Sequence, residues 1–429
     1  MKNKKETLLI LTILITICII IFNRDKLYEA KYIEPKDTLL AITINGEIST
    51  TFPTTGMYTG TVECTTGTGK VEWNGIKWIL TTSGITKGST KCNVTFITKV
   101  PTLAEAILAN NEVKAPLTTP GAAISTADEA LLASAEDDNG TSYYFRGAVK
   151  NNYVEFANKC WRIVRVGGDG SVKLILHNDN AAGVANPCDT ANNSASAAFA
   201  RFSGETYKSE FNTGVYDNAY VGFKYGTAGA SNYATTHANT NNSTILTNLE
   251  AWYEKNNLKN YEKVIADTVW CNDKTNVTDT SYDPWSRTPN GLGYAKNVTY
   301  YGATQRLVST SGSTGGTGPS LKCNGDLSKI TSKVGLITAD ELALAGYAYA
   351  QNNTTTYLQE NATDTYWWSL SPGYFNGSYA DVWSVYGSYG SLYSNYVSDA
   401  GGVRPSISLK STTNVTGEGS SSSPYIISM

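Results

Sequence analysis

The chain has 429 residues, a net charge of -3 and only 17% charged residues, which allows two or three domains and shows no basic excess of the kind that nucleic-acid binding requires. Its two histidines, His177 and His237, leave little for a His-dependent catalytic triad or a His-ligated metal site, so we expect no cofactor. Abundant Thr, Ser, Asn, Gly and Tyr are typical of an extracellular, β-rich protein rather than a cytosolic enzyme.

The amino terminus carries an export signal. Residues 1–6 are rich in lysine and precede an uncharged apolar run from Thr7 to Phe22, which is short for a membrane span of about 20 residues. With Asn23 and snorkelling lysines it predicts an uncleaved signal anchor over residues 7–23, with residues 1–6 as a cytoplasmic n-region. A cleaved signal peptide is the alternative, and in both cases the rest of the chain is exported.

Residues 38–99 are predicted to form a small all-β sandwich. Thr38–Ile44 alternates apolar and polar residues and ends at Asn45-Gly46, a strong hairpin turn signal. A domain of this size is marginal on core size alone, and we interpret it as a spacer without a site of its own. Residues 100–140 change to Ala, Thr, Ser and Pro with an acidic end, which indicates a linker.

Helices and antiparallel strands are both predicted within residues 141–411. Cys160–Val166 and Ser171–Leu176 are expected to form a hairpin. Ser243 is a candidate N-cap for a helix to about Lys255, and Thr338–Glu341 reads as a capping box that opens a second helix, Glu341–Tyr347. The pattern therefore favours an α+β fold class, and residues 412–429 read as a Ser/Gly-rich tail.

The most unusual stretch is Tyr366–Pro405. Between Trp367 and Gly402 it contains no Lys, Arg, Glu, Gln or His, and it is built from Tyr, Ser and Gly with some Asn and Asp, the composition of an antibody paratope. We interpret residues 366–405 as a recognition segment; a Tyr-rich surface hairpin without a partner is the alternative. Four strands of an antiparallel meander are predicted in this part of the chain: Trp367–Leu370, Ala380–Tyr386, Ser391–Ser398 and Val403–Leu409.

Six cysteines outside the apolar run read as disulfides. None forms a Cys-x-x-Cys pair, so zinc and thioredoxin-type sites are poorly supported. Proximity along the chain predicts three bonds, Cys64–Cys92, Cys160–Cys188 and Cys271–Cys323. Free buried thiols in a reducing compartment are the alternative.

The order of several short motifs resembles that of a known group of proteins. These motifs are Tyr-Tyr-Phe-Arg-Gly (143–147), Asn-Asn-Tyr-Val (151–154), Trp-Arg-Ile-Val-Arg (161–165), Cys-Asn-Asp (271–273), Gly-Leu-Ile-Thr-Ala-Asp-Glu (335–341), Trp-Ser-Leu-Ser-Pro (368–372) and Gly-Val-Arg-Pro (402–405). They resemble exported proteins of Firmicutes-type bacteria with a C-type-lectin-like carboxy-terminal domain, of the branch shared with formylglycine-generating enzymes. The resemblance implies such a domain over residues 141–411, with two helices, antiparallel strands and much loop.

The same resemblance extends to the variable proteins of diversity-generating retroelements. In those systems a reverse transcriptase replaces adenines, so that Asn codons become Tyr, Ser, Asp, Gly and other residues of the kinds found here. Trp383 cannot arise in this way and would be fixed, with a scaffold of Trp367, Trp368, Leu370, Pro372, Val403, Arg404 and Pro405. The variable, ligand-contacting candidates would be Tyr374, Phe375, Asn376, Ser378, Tyr379, Asp381, Ser384, Tyr386, Ser388, Tyr389, Tyr393, Ser394, Asn395, Tyr396, Ser398 and Asp399. Because side chains of a strand alternate between its faces, only part of this set is expected to touch ligand.

These features predict a non-catalytic binding protein, displayed at the cell surface through the N-terminal anchor, whose partner is an unknown extracellular protein or glycan. The alternatives are a bacterial adhesin or glycan-binding lectin of fixed specificity and, with less support, an enzyme of the formylglycine-generating type, which needs a reactive cysteine pair or a metal. Trp270-Cys271-Asn272-Asp273 faintly resembles a lectin calcium motif, but Cys271 interrupts it. We expect no catalytic residue, no metal ligand and no nucleic-acid partner.

Overall fold

The computed structural model describes residues 39–86, 88–202 and 206–428. The described residues divide into two compact units, those up to Lys99 and those from Val100 onward, which we take in turn. The n-region predicted at residues 1–6 and the membrane anchor predicted at residues 7–23 lie outside the described residues. Among the helices that are described, none has the length and apolar character needed to cross a membrane.

The first unit consists of β-strands. Its described strands are β1 (Leu39–Ile44), β2 (Glu47–Ser49), β3 (Tyr58–Cys64), β4 (Thr68–Trp73), β5 (Trp78–Ser83) and β6 (Lys91–Thr98). Four of them form a sheet in the order β2-β1-β6-β3, with β1 parallel to β6, and β4 and β5 form a separate hairpin. Asn45 and Gly46 connect β1 to β2 with positive φ angles of 50° and 86°, so the predicted hairpin turn is confirmed.

The core of this unit is small and aromatic. Phe96 is completely buried and packs edge-on against Trp78, with ring centroids 4.9 Å apart. Cys64 and Cys92 are directly paired residues of β3 and β6 and form the predicted disulfide. Because so few apolar side chains are buried here, the crosslink is an important part of the unit's stability.

The second unit is larger and contains short helices among many strands. The helices are α1 (Leu103–Asn110), α2 (Tyr233–His237), α3 (Thr244–Lys255), α4 (Gly302–Leu307) and α5 (Ala339–Ala345). The strands are β7 (Ala130–Asp137), β8 (Gly140–Gly147), β9 (Tyr153–Phe156), β10 (Lys159–Val166), β11 (Val172–Asn178), β12 (Lys208–Ser209), β13 (Lys224–Tyr225), β14 (Asn241–Asn242), β15 (Thr268–Cys271), β16 (Thr299–Tyr300), β17 (Lys329–Ser332), β18 (Trp367–Phe375), β19 (Ala380–Tyr386), β20 (Ser391–Tyr396), β21 (Gly401–Gly402), β22 (Ser406–Leu409), β23 (Val415–Thr416) and β24 (Tyr425–Ile427).

Two sheets dominate this unit. The first has the order β22-β11-β10-β9-β24-β23, with β8 added to β10 and β7 to β8. The second has the order β12-β21-β18-β19-β20, with β16 added to β18. The predicted hairpin of β10 and β11 is confirmed, and the Cys160–Cys188 and Cys271–Cys323 disulfides form as predicted.

Both predicted helices of this unit are confirmed by their caps. The hydroxyl of Ser243 accepts a hydrogen bond from the backbone N–H of Leu246 at the start of α3. Thr338 and Glu341 form a capping box at the start of α5, in which each side chain accepts from the other residue's backbone N–H. These caps satisfy amide donors that have no partner within the helix.

The predicted α+β fold class is wrong, because the described structure is mostly β, with 35% strand and 14% helix arranged around several sheets. The predicted helices exist but are short; α3 has 12 residues and α5 has seven. Strands that the sequence did not indicate, including β7, account for much of the difference between the predicted and the observed strand content.

Segments interpreted as linker and tail take part in the packing of the second unit. Within residues 100–140, α1 buries Leu103 and Ile107 in the main core, and β7 pairs along its length with β8. Within residues 412–429, β24 pairs in parallel with β9 and buries Tyr425. Their composition suggested a linker and a tail, but their apolar residues pack on strands that are distant in the sequence.

A buried network of charges fixes α5, which precedes the recognition segment. Glu341 accepts hydrogen bonds from Lys173 at 2.6 Å and from Arg165 at 2.9 Å, and Arg165 also binds Asp137 at 2.8 Å. Burial of the Glu341 carboxylate opposes ionisation, but these two cations outweigh it and lower its pKa to about 2. The network therefore joins α5 to strands β7, β10 and β11.

Candidate binding surface

The recognition segment is built on three antiparallel strands. β18 pairs with β19, and β19 pairs with β20, which lies at the edge of the second sheet. The fourth predicted strand of this meander, Val403–Leu409, is placed differently, since β22 pairs with β11 in the other sheet. The predicted four-stranded meander is therefore wrong in its last strand. The chain leaves the second sheet after β21, whose Gly402 pairs with Trp367, and crosses between the two sheets.

Two tight turns connect the three strands. The side-chain oxygen of Asn376 accepts hydrogen bonds from the backbone N–H groups of Ser378 and Tyr379, which closes the first turn. The second turn ends at Gly390, whose φ is 65° and whose position leaves no room for a side chain, because an added Cβ would lie 1.8 Å from the carbonyl oxygen of Asn353. Both turns are thus fixed by local contacts.

The residues at the two ends of the segment are buried, as expected for a scaffold. Trp367, Trp368 and Leu370 on one side and Val403 and Arg404 on the other are all inaccessible to solvent or nearly so. The indole N–H of Trp368 donates to the carbonyl oxygen of Ser209 at 2.8 Å. These buried residues anchor the two ends of the recognition segment in the core of the second unit.

The candidate ligand-contacting residues differ widely in exposure. Phe375, Asp381 and Ser384 are buried. The half-buried candidates are Tyr374, Asn376, Tyr386, Ser394, Asn395 and Ser398, and the exposed ones are Ser378, Tyr379, Ser388, Tyr389, Tyr393, Tyr396 and Asp399. The half-buried and exposed candidates together are called the tyrosine surface below.

The edge position of β20 explains why so many of its side chains reach solvent. Tyr393 and Asn395 lie on one face of the strand, and Ser394 and Tyr396 lie on the other. In the part of the chain that the structure describes, no further strand pairs with the outer edge of β20 beyond Tyr393. Side chains on both faces of β20 therefore contribute to the surface.

Aromatic rings continue the tyrosine surface beyond the predicted segment. Tyr374 packs against Trp285 and Tyr300, with ring centroids 4.7 Å and 5.8 Å away. Tyr349 contacts both Trp285 and Tyr393 at 5.9 Å and 5.6 Å. Trp285 and Tyr349, from distant parts of the sequence, thus extend the surface laterally, and the buried Tyr300 supports Tyr374.

Further aromatic contacts lie near the turns, in two groups that no ring contact joins among the described residues. On one side, Tyr386 packs against Tyr393 at 5.2 Å and against Tyr366 at 6.1 Å. On the other, Tyr379 packs against Tyr396 at 4.8 Å and against Tyr216 at 5.6 Å. Exposed tyrosines in mutual contact are large, amphipathic and restricted in motion, which suits them to recognition.

Sequence analysis did not identify Tyr216, Trp285, Tyr300 or Tyr349 as neighbours of the recognition segment. They lie in stretches without strand or helix periodicity, and proximity to the recognition segment arises only through tertiary packing. Their aromatic character in polar surroundings is the one local signal that could have drawn attention to them.

Asp381 is the charged residue at the centre of the surface. It pairs across the sheet with Tyr374 of β18 and with Tyr396 of β20, and its Oδ2 lies 3.4 Å from the hydroxyl of Ser394. Its other oxygen, Oδ1, is buried and has no hydrogen-bond partner among the described residues. Burial raises the pKa of Asp381 to about 7, although Tyr374, Ser394 and the positive charge of Arg287 act in the opposite direction.

A polar ladder lies on the opposite face of β19 and β20. The side-chain amide of Asn395 donates to the Ser384 hydroxyl at 2.6 Å, and the Tyr386 hydroxyl donates to the Asn395 oxygen at 3.3 Å. Ser384 is itself buried, so it orients Asn395 through this hydrogen bond and does not contact a ligand directly. The ladder leaves Tyr386 and Asn395 half-exposed with defined orientations.

Residues that were considered for metal binding have other partners. Both oxygens of Asp273 accept from protein donors, one from Thr275 and one from Arg306, and Asn272 bonds Phe223 and the Leu370 carbonyl through its amide. Across the described ranges, no group of three or more His, Cys, Asp or Glu side chains is arranged to hold a metal ion.

The two histidines are buried within the fold. The ring Nε2 of His237 lies 2.7 Å from the carbonyl oxygen of Gly293, and that of His177 lies 3.2 Å from the amide nitrogen of Asn361. Burial lowers the pKa of both rings, that of His237 to about 3. Both are therefore neutral at physiological pH and engaged in packing.

A charged cavity of about 200 Å³ lies beside α5, away from the tyrosine surface. Its walls include Arg165, Lys173 and Glu341 of the buried network, and also Arg306, which binds Asp340 at 2.6 Å. Each of these charges already faces an opposite charge within hydrogen-bond distance, an arrangement that supports the fold.

Comparison with known proteins gives one match. The family model described as a domain of unknown function, DUF6273, matches residues 328–411, from just before β17 to just after β22. No curated protein and no solved structure matches the chain. The matched region contains α5 and the whole recognition segment, and the family description assigns it no activity.

Proposed function

We propose that this protein is an exported, non-catalytic binding protein, and that the tyrosine surface of β18, β19 and β20 contacts its ligand. Three disulfides support export, since such bonds form and persist in oxidising, extracytoplasmic environments. The proposal places the second unit outside the cytoplasm, displayed at the cell surface.

One observation carries the proposal: exposed tyrosines of the recognition segment form ring contacts, while the tryptophans at the start of β18 are buried. Tyr379, Tyr393 and Tyr396 are each between 36% and 40% exposed; Tyr379 contacts Tyr396, and Tyr393 contacts Tyr349 and Tyr386, whereas Trp367 and Trp368 are inaccessible. A soluble protein without a partner has little reason to expose two such groups of aromatic rings. Aromatic side chains of this kind dominate binding energy at protein interfaces.

The ligand class is tested by offering the full chain two defined probes, a phage-displayed peptide library and an array of immobilised glycans, each with and without a calcium chelator. We expect ligands from one probe whose binding falls at least tenfold in the Tyr393→Ala and Tyr396→Ala variants. Val269→Ala is the matched control, because it removes an exposed apolar side chain from β15. Binding that both tyrosine variants retain in full would contradict the proposal, and chelator-sensitive glycan binding would favour a calcium-dependent lectin.

The similarity of the recognition segment to retroelement variable proteins leads to a finer proposal, that residues 366–405 are diversified. It is supported by the residue types at the exposed positions. It is also supported by the burial of Trp383, because such mutagenesis cannot produce tryptophan from an Asn codon and a fixed residue is expected in the core. Deep sequencing of the coding DNA from one cell population tests it. Substitutions confined to adenine-bearing codons are expected; an invariant stretch would point instead to an adhesin or lectin of fixed specificity.

A further inference from the structure

The row of side chains across the three strands has an acidic centre between aromatic neighbours. Asp381 lies directly opposite Tyr374 on one side and Tyr396 on the other, so the three side chains share one face of the sheet. Tyr379 packs on Tyr396 and extends the aromatic wall. This face of the sheet therefore carries a carboxyl group with tyrosine side chains on both sides of it.

The carboxyl group at this centre lacks the partner that buried charges normally have. Asp381 is only 2% exposed, and within the described part of the chain its Oδ1 has no hydrogen-bond partner and the carboxyl group forms no ion pair. The Ser394 hydroxyl lies 3.4 Å from Oδ2, and hydrogen bonding by Ser394 and Tyr374 favours the ionised form without supplying a positive charge. Arg287 attracts it electrostatically and Asp399 repels it, but neither is within ion-pair distance. Buried charges in proteins are paired or hydrogen-bonded as a rule, so an unpaired one calls for an explanation.

We propose that Asp381 forms the base of a subsite for a cationic group, namely a lysine or arginine side chain of a protein ligand, with the rings of Tyr374 and Tyr396 alongside it. This inference rests on the proposed binding function of the same surface. A cation would supply the missing ion pair to Oδ1, and it would be attracted by the electron-rich faces of the neighbouring rings.

Access to the subsite depends on Tyr396. This side chain is 40% exposed, and its hydroxyl makes no hydrogen bond to the residues that the structure describes. Side chains of exposed residues change rotamer on the picosecond-to-nanosecond timescale. The proposal therefore requires that rotation of the Tyr396 ring uncover Asp381, which is only 2% exposed with the ring in its present position.

Other ligand groups fit this centre less well. An anion would be repelled by Asp381 and Asp399 together. A divalent cation requires several oxygen ligands, whereas the described residues offer no suitable cluster of three. A neutral sugar would be able to stack on the rings, but its binding would not depend on the charge of Asp381.

The ionisation of Asp381 makes the subsite sensitive to pH. Burial raises the pKa of the Asp381 carboxyl to about 7, and the charged or titratable groups that act on it are Tyr374, Asp399 and Arg287. Burial also raises the pKa of Tyr374, so the tyrosine stays protonated in this range. A cation binds the ionised carboxylate, and its affinity therefore decreases as the pH falls below about 7.

The inference is tested with the full chain and ligand-observed NMR, using Nα-acetyl-lysine amide as the probe and Nα-acetyl-norleucine amide as its uncharged counterpart. We expect the lysine probe to bind at pH 8 and to bind at least fivefold more weakly at pH 6 and in Asp381→Asn. The exposed Asp128→Asn variant, which lies outside the tyrosine surface, serves as the control and should retain binding. No binding of the lysine probe at 20 mM, or equal binding by Asp381→Asn, would overturn the inference.

The outcomes separate this inference from the proposed function. A ligand from the peptide or glycan probes that needs Tyr393 but tolerates Asp381→Asn would leave the binding surface in place and reject the cationic subsite. A ligand that tolerates changes at both residues would reject the proposed function as well. Should Asp381→Asn fail to fold, the pH dependence of the unaltered protein decides the question by itself.

Discussion

Arg404 lies over the ring of Trp367, with the guanidinium carbon 4.6 Å from the ring centroid. The two residues stand at opposite ends of the recognition segment in sequence and meet in the core. The guanidinium also donates to the carbonyl oxygens of Leu358 at 2.6 Å and Leu176 at 3.1 Å. A single buried side chain thus ties together the start of β18, the end of the segment and strand β11.

Replacing Arg404 by Met should therefore destabilise the second unit. The change leaves the carbonyl oxygens of Leu358 and Leu176 buried without donors, which we expect to cost about 2 kcal/mol or more. Arg404→Lys should recover only part of the loss, because an ammonium cannot reproduce the planar fork. Thermal unfolding followed by circular dichroism measures the effect, with the exposed Lys150→Met as control. An unchanged melting temperature would show that Arg404 is dispensable.

The charged network at α5 predicts a specific loss of stability in acid. The pKa of Glu341 is lowered to about 2, so the unfolded chain takes up a proton more readily than the folded chain. The stabilisation is complete above the ordinary pKa of a glutamic acid and is lost as the pH falls from about 4.5 to about 2. Calorimetry between pH 2 and pH 7 should show this decrease.

The variant Glu341→Gln tests the same network at neutral pH. It leaves Lys173 and Arg165 without their shared carboxylate, and we expect a loss of about 3–5 kcal/mol. Its stability should also depend less on pH between about 2 and 4.5. The exposed Glu418→Gln is the matched control. Equal acid sensitivity of the two variants would assign the pH dependence to other carboxyl groups.

The Cys271–Cys323 disulfide closes the longest of the three loops, with a sequence separation of 52. Replacing both cysteines by Ser should destabilise the second unit by about 4 kcal/mol on the chain-entropy estimate. Equilibrium unfolding in urea measures the change. Peptide mapping without reduction checks the pairing, and a Cys271 peptide linked to any cysteine other than Cys323 would contradict the structure.

The turn between β19 and β20 offers a way to disturb the surface without changing any tyrosine. Gly390→Ala would place a methyl group 1.8 Å from the carbonyl oxygen of Asn353 at a φ of 65°. We expect reduced stability, by about 1–3 kcal/mol, and weaker ligand binding because β20 must move. The exposed Ser231→Ala, outside the tyrosine surface, should change neither property. Undiminished binding by Gly390→Ala would show that the position of β20 is not important for recognition.

Features with a local physical cause could be predicted from the sequence. Ser243 and Thr338 start helices because their hydroxyl groups accept from nearby amides, and that pattern is visible within four residues. The three disulfides could be predicted from proximity along the chain. The burial of Trp367 and Trp368 followed from their apolar size.

The class of the fold could not be predicted, because it depends on how much of a weakly patterned chain joins a sheet. β7 and β24 lie in segments whose composition suggested a linker and a tail, and they acquire their structure from the strands beside them. β22 follows the recognition segment directly in sequence yet pairs with β11 of the other sheet. Pairing between strands is decided by long-range contacts, which local periodicity does not encode.

By itself, the sequence determined the composition of the recognition segment, the helix caps and the sulfur pairs, since each of these depends on residues that are near in the chain or alike in chemistry. Only the tertiary structure decided that Asp381 is buried between Tyr374 and Tyr396, and that Trp285 and Tyr349 join the same surface. The physical reason is that strand register and packing bring together residues that are distant in sequence, and a carboxyl group acquires its unusual ionisation only from the burial that results.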